Sequence, residues 1–405
     1  MKYNFDEIIT RHDTACFKHD GVYEAFGLPS PTTLEWQKAK EEGKELLPMW
    51  VADMDFRTPD FVMHAIRQRA WHEVLGYTFG DDSYWNTVEW WLAHHYHIKA
   101  QRQELHFIPG IVAGIAYVLQ AFTQQGDKVL VTTPVYPPFL HLPQGSRREL
   151  MHCPMTLREG RFVINFDAFR KAAKGCKVFI LSNPHNPGGI VWTKEELAQV
   201  AEICEQEHLL VIADEIHADL TLPGYKHTSY STVNEAAKQH SFTFIAPSKT
   251  FNIAGLSSSV CYCANNELRH RFFNQYLDAL GVAGGNVFAY TAATAAFTPQ
   301  GEEWLNQLLD YLHKNVEFMK GFFAQSLPKA KAMWPEASFQ IWMDFSDYGM
   351  THRQLRDKLL NEGQVALNDG TTFGGDAYAC HFRLNFGCPK ATLNKGLTRI
   401  AKVLK

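Results

Sequence analysis

Short apolar runs alternate with helix-like stretches through the middle third of this 405-residue chain, and this alternation limits its possible folds more than any other feature. The runs are rich in β-branched and aromatic residues and lie at 128–132, 178–181, 209–213, 242–246 and 259–264. Such runs are typical of buried strands in a mostly parallel sheet. Between two of them, Thr193 and Glu196 form a capping-box pattern that predicts a helix over 193–208. Strands that alternate with helices indicate an α/β fold.

The last hundred residues have a different pattern. A long helix with one polar face is predicted over 302–325, and a half-buried strand over 339–345, where apolar and polar residues alternate. Thr351 and Gln354 then begin another capped helix, and a second alternating strand follows at 382–386. The predicted division of the chain is an N-terminal segment that joins the small domain (1–55), a large domain (56–295) and a small α+β domain (296–405).

Composition and charge exclude several classes of protein. The chain is 46% hydrophobic and 20% charged, which is typical of soluble globular proteins. A formal net charge of −4 gives no broad attraction to nucleic acid or to an anionic membrane. We find no signal peptide, no apolar run that could span a bilayer, and eight scattered cysteines without a C-x-x-C pair. These features predict a cytoplasmic protein with free thiols, no metal site, and no nucleic-acid or membrane partner.

Polar residues follow three of the predicted strands at the point where each strand ends. They are an Asn- and Pro-rich turn at 182–189, Asp214 and Lys249. Each alone has an ordinary interpretation, as a turn, a helix-capping acid or a surface lysine. Ligands of open α/β sheets bind at the carboxyl ends of strands, where these residues would meet. Together they suit a cofactor with a cationic ring nitrogen, a phenolic oxygen, an aldehyde and a phosphate, which describes pyridoxal 5′-phosphate.

Three motifs make a resemblance explicit. The segments 183–189 (NPHNPGG), 214–217 (DEIH) and 248–256 (SKTFNIAGL) resemble the fold-type I pyridoxal-phosphate enzymes of the aminotransferase class I/II branch. Within that branch, 49–56 (MWVADMDF), 214–217 (DEIH) and 246–252 (APSKTFN) resemble the bacterial cystathionine β-lyase-like C–S lyases of the MalY/PatB group. The resemblance covers nearly the whole chain. It implies a large domain with a mostly parallel, seven-stranded sheet flanked by helices, and a smaller α+β domain.

The resemblance also assigns roles around the cofactor ring. Lys249 would hold the cofactor as a Schiff base and move the proton at the substrate Cα. Asp214 would pair with the ring nitrogen, and Asn186 would donate a hydrogen bond to the phenolate oxygen. His217 occupies the position of a tyrosine that commonly shares this task, so its imidazole either donates that bond or packs as a structural residue. Tyr136 would stack on the ring, or else pack in a turn.

The phosphate of the cofactor would lie at a helix start. The pattern Gly-x-x-x-Gly at 110–114 precedes a strongly apolar helix, and such a start presents free amides to an anion, although it is also typical of close helix packing. The resemblance implies that the amides of Val112 and Ala113 and the hydroxyl of Ser248 bind the phosphate. It further implies a homodimer in which Tyr77 contacts the phosphate bound to the other subunit.

Arg383 is the predicted binding residue for the substrate carboxylate. In the strand pattern at 382–386 it alternates away from the apolar face, so we expect it to point at a polar space. A planar guanidinium binds a carboxylate with two hydrogen bonds. A surface ion pair is the alternative, and the resemblance favours carboxylate binding.

The resemblance leaves three functions open. One is β-elimination from cysteine S-conjugates such as L-cystathionine, which gives pyruvate, ammonia and a thiol. Another is transamination between an amino acid and a 2-oxo acid, and a third is a regulatory binding protein that retains the fold. The segment at 49–56 and the residues that flank Lys249 favour the lyase. The presence of both Lys249 and Asp214 argues against a protein that only binds.

Overall fold

The apolar runs form the central strands of a seven-stranded sheet in a computed structural model that describes residues 2–282 and 284–405. The strands are β1 (Leu47–Pro48), β2 (Leu105–Ile108), β3 (Lys128–Thr133), β4 (Glu149–Pro154), β5 (Thr156–Arg158), β6 (Arg161–Val163), β7 (Cys176–Ser182), β8 (Leu210–Asp214), β9 (Ser241–Ile245), β10 (Ser259–Tyr262), β11 (Lys331–Met333), β12 (Gln340–Asp344), β13 (Val365–Ala366), β14 (Asn368–Asp369) and β15 (His381–Asn385).

The large sheet has the strand order β2-β10-β9-β8-β7-β3-β4. Only β10 within it is antiparallel to its neighbours, and the strands from β9 to β4 are parallel. The prediction of a mostly parallel, seven-stranded sheet is therefore confirmed. The central strands are buried along nearly their whole length, because helices cover both faces of the sheet.

Helices fill the segments between the strands. They are α1 (Val22–Ala25), α2 (Thr33–Glu41), α3 (Asp60–Trp71), α4 (Asp82–Tyr96), α5 (Ile111–Phe122), α6 (Pro137–Gly145), α7 (Phe166–Ala173), α8 (Lys194–Gln206), α9 (Glu235–Gln239), α10 (Pro247–Thr250), α11 (Asn266–Arg269), α12 (Val287–Ala296), α13 (Pro299–Ser326), α14 (His352–Arg356) and α15 (Lys390–Val403). Wider π-helical turns continue α11 and α14 over His270–Leu277 and Asp357–Glu362. Short 3₁₀ turns lie at Arg102–Glu104, Ala218–Leu220, Tyr230–Thr232, Ala254–Leu256, Ser346–Tyr348, Gly370–Phe373 and Asp376–Tyr378.

The predicted helix starts are present. Thr193 and Glu196 form the complete capping box of α8, and Thr351 with Gln354 does the same for α14. In α5 the apolar face packs on the sheet, and Gly114 allows this close approach. A Cβ atom at Gly114 would lie 2.4 Å from a ring carbon of Phe244 in β9. The small residue therefore serves the close packing of α5 on the sheet.

A second, antiparallel sheet lies in the C-terminal part of the chain, with the strand order β11-β12-β15-β14. The N-terminal strand β1 pairs with β13 from the same part of the chain. The domain limits at 55 and 295 stay a prediction. All eight cysteines are free thiols. In the described parts of the chain, no helix is both long enough and apolar enough to cross a membrane.

Candidate active site

The sheet brings the three predicted motifs to one edge. Strands β7, β8 and β9 are parallel neighbours, and their register aligns Ser182 with Asp214 and Asp214 with Phe244. The turn that follows β7, the acid that ends β8 and the helix α10 that follows β9 therefore leave the sheet side by side. Strand β2 runs in the same direction as β9, since β10 is antiparallel to both. The start of α5 consequently lies at the same edge.

A cavity of about 240 Å³ lies at this edge of the sheet. Eight of the ten predicted site residues line it, and they come from five separate segments of the chain: Val112, Ala113, Tyr136, Asn186, Asp214, His217, Ser248 and Lys249. Arg383 and Tyr77 are not part of the lining. The cavity thus collects side chains that can bind an anion, pair with a cation and provide an amine.

Lys249 lies in α10 with its amine directed at the N-terminal segment. Its Nζ donates a hydrogen bond to the carbonyl oxygen of Ala52, at 2.6 Å. Burial lowers the pKa of Lys249 to about 8, against the attraction of Asp53 and Asp214. A lysine with this pKa has a substantial fraction of neutral amine near pH 8, so it can act as a nucleophile or accept a proton.

Asp214 is a buried carboxylic acid at the end of β8. Burial raises its pKa to about 7, while a hydrogen bond from the amide of Ile216, 3.0 Å from Oδ1, acts in the opposite direction. The carboxylate form of such an acid is stabilised when a cation lies beside it. Asp214 therefore suits the cationic ring nitrogen of a ligand in the cavity.

Arg383 is buried and lies outside the cavity lining, and polar groups of the protein itself fill the space around its guanidinium. Its Nη1 donates to Oδ1 of Asn186 at 2.9 Å, and its Nη2 donates to Oδ1 of Asn368 and to the carbonyl oxygen of Trp50. The guanidinium also lies 5.0 Å from the centre of the Phe373 ring. Segments remote in sequence cover the second face of β15, so the alternative of a surface ion pair is wrong.

One donor of Arg383 remains unused. The Nε atom is buried and has no hydrogen-bond partner within 2–282 and 284–405. Burial lowers the pKa of Arg383 to about 10, which leaves the side chain charged at neutral pH. A buried donor without a partner is costly, so this atom suits a ligand acceptor such as a carboxylate oxygen.

His217 is a neutral, buried side chain. Burial, together with the positive charges of Lys249 and Arg383, lowers its pKa to about 3. Its Nδ1 lies 3.2 Å from Oγ of Ser338, and its ring packs edge-on against Phe339. Since His217 also lines the cavity, both a structural role and a hydrogen bond to a ligand are compatible with its position.

The start of α5 provides an anion-binding end to the cavity. Gly110 precedes the helix with φ of 99°, and no side chain caps the first amides of α5. Ser248 lines this cavity, as does Ser258, whose buried hydroxyl has no hydrogen-bond partner in the described residues. Free amides at a helix start together with hydroxyl donors fit a phosphate group.

The family assignment rests on the whole length of the chain. The sequence pattern described as aminotransferase class I and II matches residues 45–400. The chain belongs to the aminotransferase class I and II family. Cystathionine beta-lyase PatB of Bacillus subtilis is 38% identical over 405 residues, which cover 99% of this chain and all of that protein. Protein MalY of Escherichia coli is 26% identical and covers 100% of this chain, with 99% of its own length matched.

Solved structures of the family share the fold. Cystalysin from Treponema denticola, which contains a pyridoxal 5′-phosphate cofactor, superposes with a TM-score of 0.91 at 30% identity. The match covers 100% of this chain and 99% of cystalysin. The PLP-bound C-S lyase from Staphylococcus hominis gives a TM-score of 0.88 at 30% identity, with 100% and 98% of the two chains covered. The fold is therefore that of PLP fold-type I enzymes, as the resemblance implied.

Tyr77 lies outside the cavity and is fully exposed in the single chain. It belongs to an apolar segment that also exposes Trp71, Val74, Leu75 and Phe79. Large exposed apolar side chains that are adjacent in sequence are typical of a protein–protein contact. The position of Tyr77 is consistent with a contact across a dimer interface, and that contact stays a prediction.

Ten residues of the cavity lining were not among the predicted site residues, and two of them contribute polar groups that matter for ligand binding. Ala52 accepts the hydrogen bond from Lys249, and Ser258 contributes the buried hydroxyl. Ala52 lies in the segment 49–56, which the resemblance had singled out. The sequence does not indicate, however, that its backbone carbonyl contacts a lysine 197 residues away. For Ser258 the available signal is its place two residues after the motif at 248–256.

One cluster of potential metal ligands lies on the surface, remote from the cavity lining. His94, His95 and Glu302 place one ligand atom each within 4.8 Å of one another. Both imidazoles stack on tryptophan rings of α4, and Nε2 of His94 lies 3.2 Å from the Glu302 carboxylate. These contacts explain why the three side chains lie close together at the aromatic end of α4 without a metal ion. The absence of a metal site stays a prediction.

Proposed function

We propose that this chain is a pyridoxal 5′-phosphate-dependent carbon–sulfur lyase that acts on cysteine S-conjugates such as L-cystathionine. The observation that carries the proposal is the single cavity in which Lys249, Asp214 and the start of α5 meet. An amine with a lowered pKa, an acid with a raised pKa and free helix amides match the aldehyde, ring nitrogen and phosphate of this cofactor. The relatives named cystathionine beta-lyase and C-S lyase support the reaction type.

The reaction is a redox-neutral elimination. The substrate Cα loses a proton, the Cβ–S bond breaks with its electron pair on sulfur, and the thiolate leaves and takes up a proton. The released 2-aminoacrylate then reacts with one water to give pyruvate and ammonia. When bound, pyridoxal phosphate delocalises the electron pair that deprotonation leaves at Cα.

Lys249 and Asp214 have complementary tasks in this proposal. Lys249 would hold the cofactor covalently, and its amine would take the Cα proton of the substrate. Its pKa of about 8 suits a general base near neutral pH. Asp214 would be ionised beside the ring nitrogen and so would keep that nitrogen protonated. Tyr136, which lines the cavity, would pack against the ring, and His217 contributes a neutral imidazole at the cavity lining.

Asn186 and Arg383 orient the substrate. The Asn186 oxygen accepts a hydrogen bond from Arg383, which leaves the amide nitrogen of Asn186 to donate to the phenolic oxygen of the cofactor. Arg383 presents its unused Nε atom to the substrate carboxylate. Val112, Ala113, Ser248 and Ser258 would hold the phosphate at the start of α5.

Replacing Arg383 by lysine should lower kcat/KM roughly ten- to a hundredfold for any amino-acid substrate. Lysine keeps the positive charge but cannot bind Asn186, Asn368 and Trp50 and also donate to the carboxylate from a position like that of Nε, and a hydrogen bond to a charged group contributes about 1.5–3 kcal/mol. Steady-state kinetics test this result, with thermal unfolding of the variant as the control for folding. A kcat/KM within twofold of the wild-type value would place the carboxylate elsewhere.

The active unit in our proposal is a homodimer in which Tyr77 of each subunit contacts the phosphate bound to the other. A Tyr77→Phe protein mixed with a Lys249→Ala protein should form hybrid dimers with one site that lacks both residues and one that lacks neither. The mixture should therefore be more active than the sum of the two separate proteins. Unchanged activity, despite subunit exchange shown by mass spectrometry, would remove Tyr77 from the shared site.

Product stoichiometry tests the proposed reaction directly. L-Cystathionine should yield pyruvate, ammonia and free thiol in equal amounts, because one elimination produces one of each. Enzymatic assays for pyruvate and ammonia, combined with a colorimetric thiol assay, measure the ratio. Loss of substrate without thiol release would exclude cleavage of the Cβ–S bond.

A further inference from the structure

A second cavity of about 680 Å³ adjoins the first. Ala52, Lys249 and Ala254 line both cavities, so the reactive lysine lies on the boundary that they share. The other lining residues of the second cavity come mainly from the N-terminal segment over 9–17 and 51–60, and from α3. A group that leaves the substrate next to Lys249 can therefore extend into this second space.

Most charged groups around the second cavity are already paired. Arg11 forms ion pairs with Asp53 at 2.6 Å and with Asp55 at 2.8 Å. Arg57 is paired with Glu7. These guanidinium groups are neutralised by the protein itself and have little charge left for a ligand.

Arg67 is different. It is exposed, lines the second cavity, and forms no hydrogen bond or ion pair with any residue in 2–282 or 284–405. Asp60, Met63 and Arg67 lie at positions i, i+3 and i+7 of α3, on one helix face that borders the cavity. Seven residues of helix span roughly 10 Å, so Asp60 at the start of α3 does not neutralise Arg67.

We infer that the second cavity binds the sulfur-linked substituent of the substrate and that Arg67 binds a carboxylate at its far end. This inference rests on the proposed lyase function, in which the substituent departs beside Lys249. Met63 and Phe17 offer apolar contacts to the methylene groups of the substituent. A free guanidinium binds a carboxylate through charge-assisted hydrogen bonds. The favoured substrates are therefore cysteine S-conjugates whose leaving thiol carries a carboxylate, as in L-cystathionine.

The test compares substrates that differ only in the charge of the substituent. Arg67→Ala should raise KM for L-cystathionine about tenfold, the size of one charge-assisted hydrogen bond, with kcat within about twofold of wild type. KM for S-ethyl-L-cysteine, whose substituent is uncharged, should stay unchanged. Arg69→Ala is the matched control, because Arg69 lies on the same helix, donates to the His72 carbonyl and is not part of the cavity lining.

Charge reversal gives a result that misfolding cannot imitate. Arg67→Glu should weaken the binding of L-cystathionine further than Arg67→Ala does. It should also improve kcat/KM for S-(2-aminoethyl)-L-cysteine, whose substituent is cationic. Equal changes for all three substrates, or an unchanged KM for L-cystathionine in both Arg67 variants, would overturn the inference. Failure of the proposed function has a separate signature, since the wild-type enzyme would then release no pyruvate from any of these substrates.

Discussion

Replacing Lys249 by alanine should lower the rate of pyruvate release by at least about a thousandfold while the protein stays folded. The variant loses both the amine that binds the cofactor covalently and the base that takes the Cα proton. The cavity would keep its other contacts, including the start of α5, so weak non-covalent binding of the cofactor should persist. Loss of a lysine whose pKa burial lowers should also leave the unfolding temperature of the apoenzyme unchanged or higher.

Borohydride reduction gives a readout independent of turnover. In the wild-type protein, mass spectrometry should find the cofactor fixed to the peptide that contains Lys249, and in the variant it should find no modified peptide. Lys238→Ala, which removes an exposed lysine of α9, is the matched control and should behave as wild type. Cofactor fixed to any other lysine of the wild-type protein would show that Lys249 has been assigned the wrong role.

Replacing Asp214 by asparagine should abolish most turnover and at the same time stabilise the apoenzyme. Asparagine keeps an oxygen acceptor for the amide of Ile216 but cannot pair with a protonated ring nitrogen. Loss of a charged group that stabilises the reacting centre lowers reaction rates by about two to four orders of magnitude. The free energy of unfolding of the apoenzyme should rise while turnover falls, because the wild-type apoenzyme contains a buried acid with no cationic ligand beside it.

The gain in stability of the Asp214→Asn apoenzyme over the wild-type apoenzyme should depend on pH. Burial raises the pKa of Asp214 from 3.8 to about 7, so the folded apoenzyme binds more protons than the unfolded chain between about pH 4 and 7. Wild-type stability therefore falls as the pH rises through this window, and the fall is absent in Asp214→Asn. Above pH 7 the variant apoenzyme should be more stable by about 2–4 kcal/mol.

Chemical denaturation of both apoenzymes at pH 5 and pH 8 measures this difference. Asp310→Asn, an exposed acid on α13, is the control and should show no pH-dependent gain. Addition of the cofactor should stabilise the wild-type protein more than the Asp214 variant. A variant that is less stable than wild type at pH 8 would mean that Asp214 is satisfied by the protein alone.

The sheet and the position of the main motifs could be predicted because they depend on local sequence. Buried parallel strands require short apolar runs, and the runs at 178–181 and 209–213 have few other ways to be buried. At their carboxyl ends both strands continue one polar residue beyond the apolar run, to Ser182 and Asp214, because these two pair with each other across the sheet. At their starts β7 begins two residues before its run, at Cys176, and β8 begins one residue after the start of its run, at Leu210. Strand ends of this kind depend on the neighbouring strand and so cannot be fixed from one segment alone.

The surroundings of Arg383 could not be predicted for a related reason. Its partners Asn186 and Trp50 lie 197 and 333 residues away in the chain, so an alternating pattern indicates only which face of β15 it is on. The tertiary structure buries that face instead of exposing it. Arg67 gave no sequence signal at all, because an arginine on an amphipathic helix is ordinarily a solvent-exposed residue. What singles out Arg67 is the cavity beside it and the absence of a hydrogen-bond or ion-pair partner among the residues that the structure describes.

The most direct test of the central claim is the number of pyruvate molecules formed per enzyme from L-cystathionine with no 2-oxo acid present. A lyase regenerates its starting form in every cycle, so we expect many turnovers at a constant rate. A transaminase would stop after one turnover until an acceptor was added, and a protein that only binds would form no pyruvate. Many turnovers that require Lys249 are the predicted result, and a single turnover that an added 2-oxo acid restarts would contradict it.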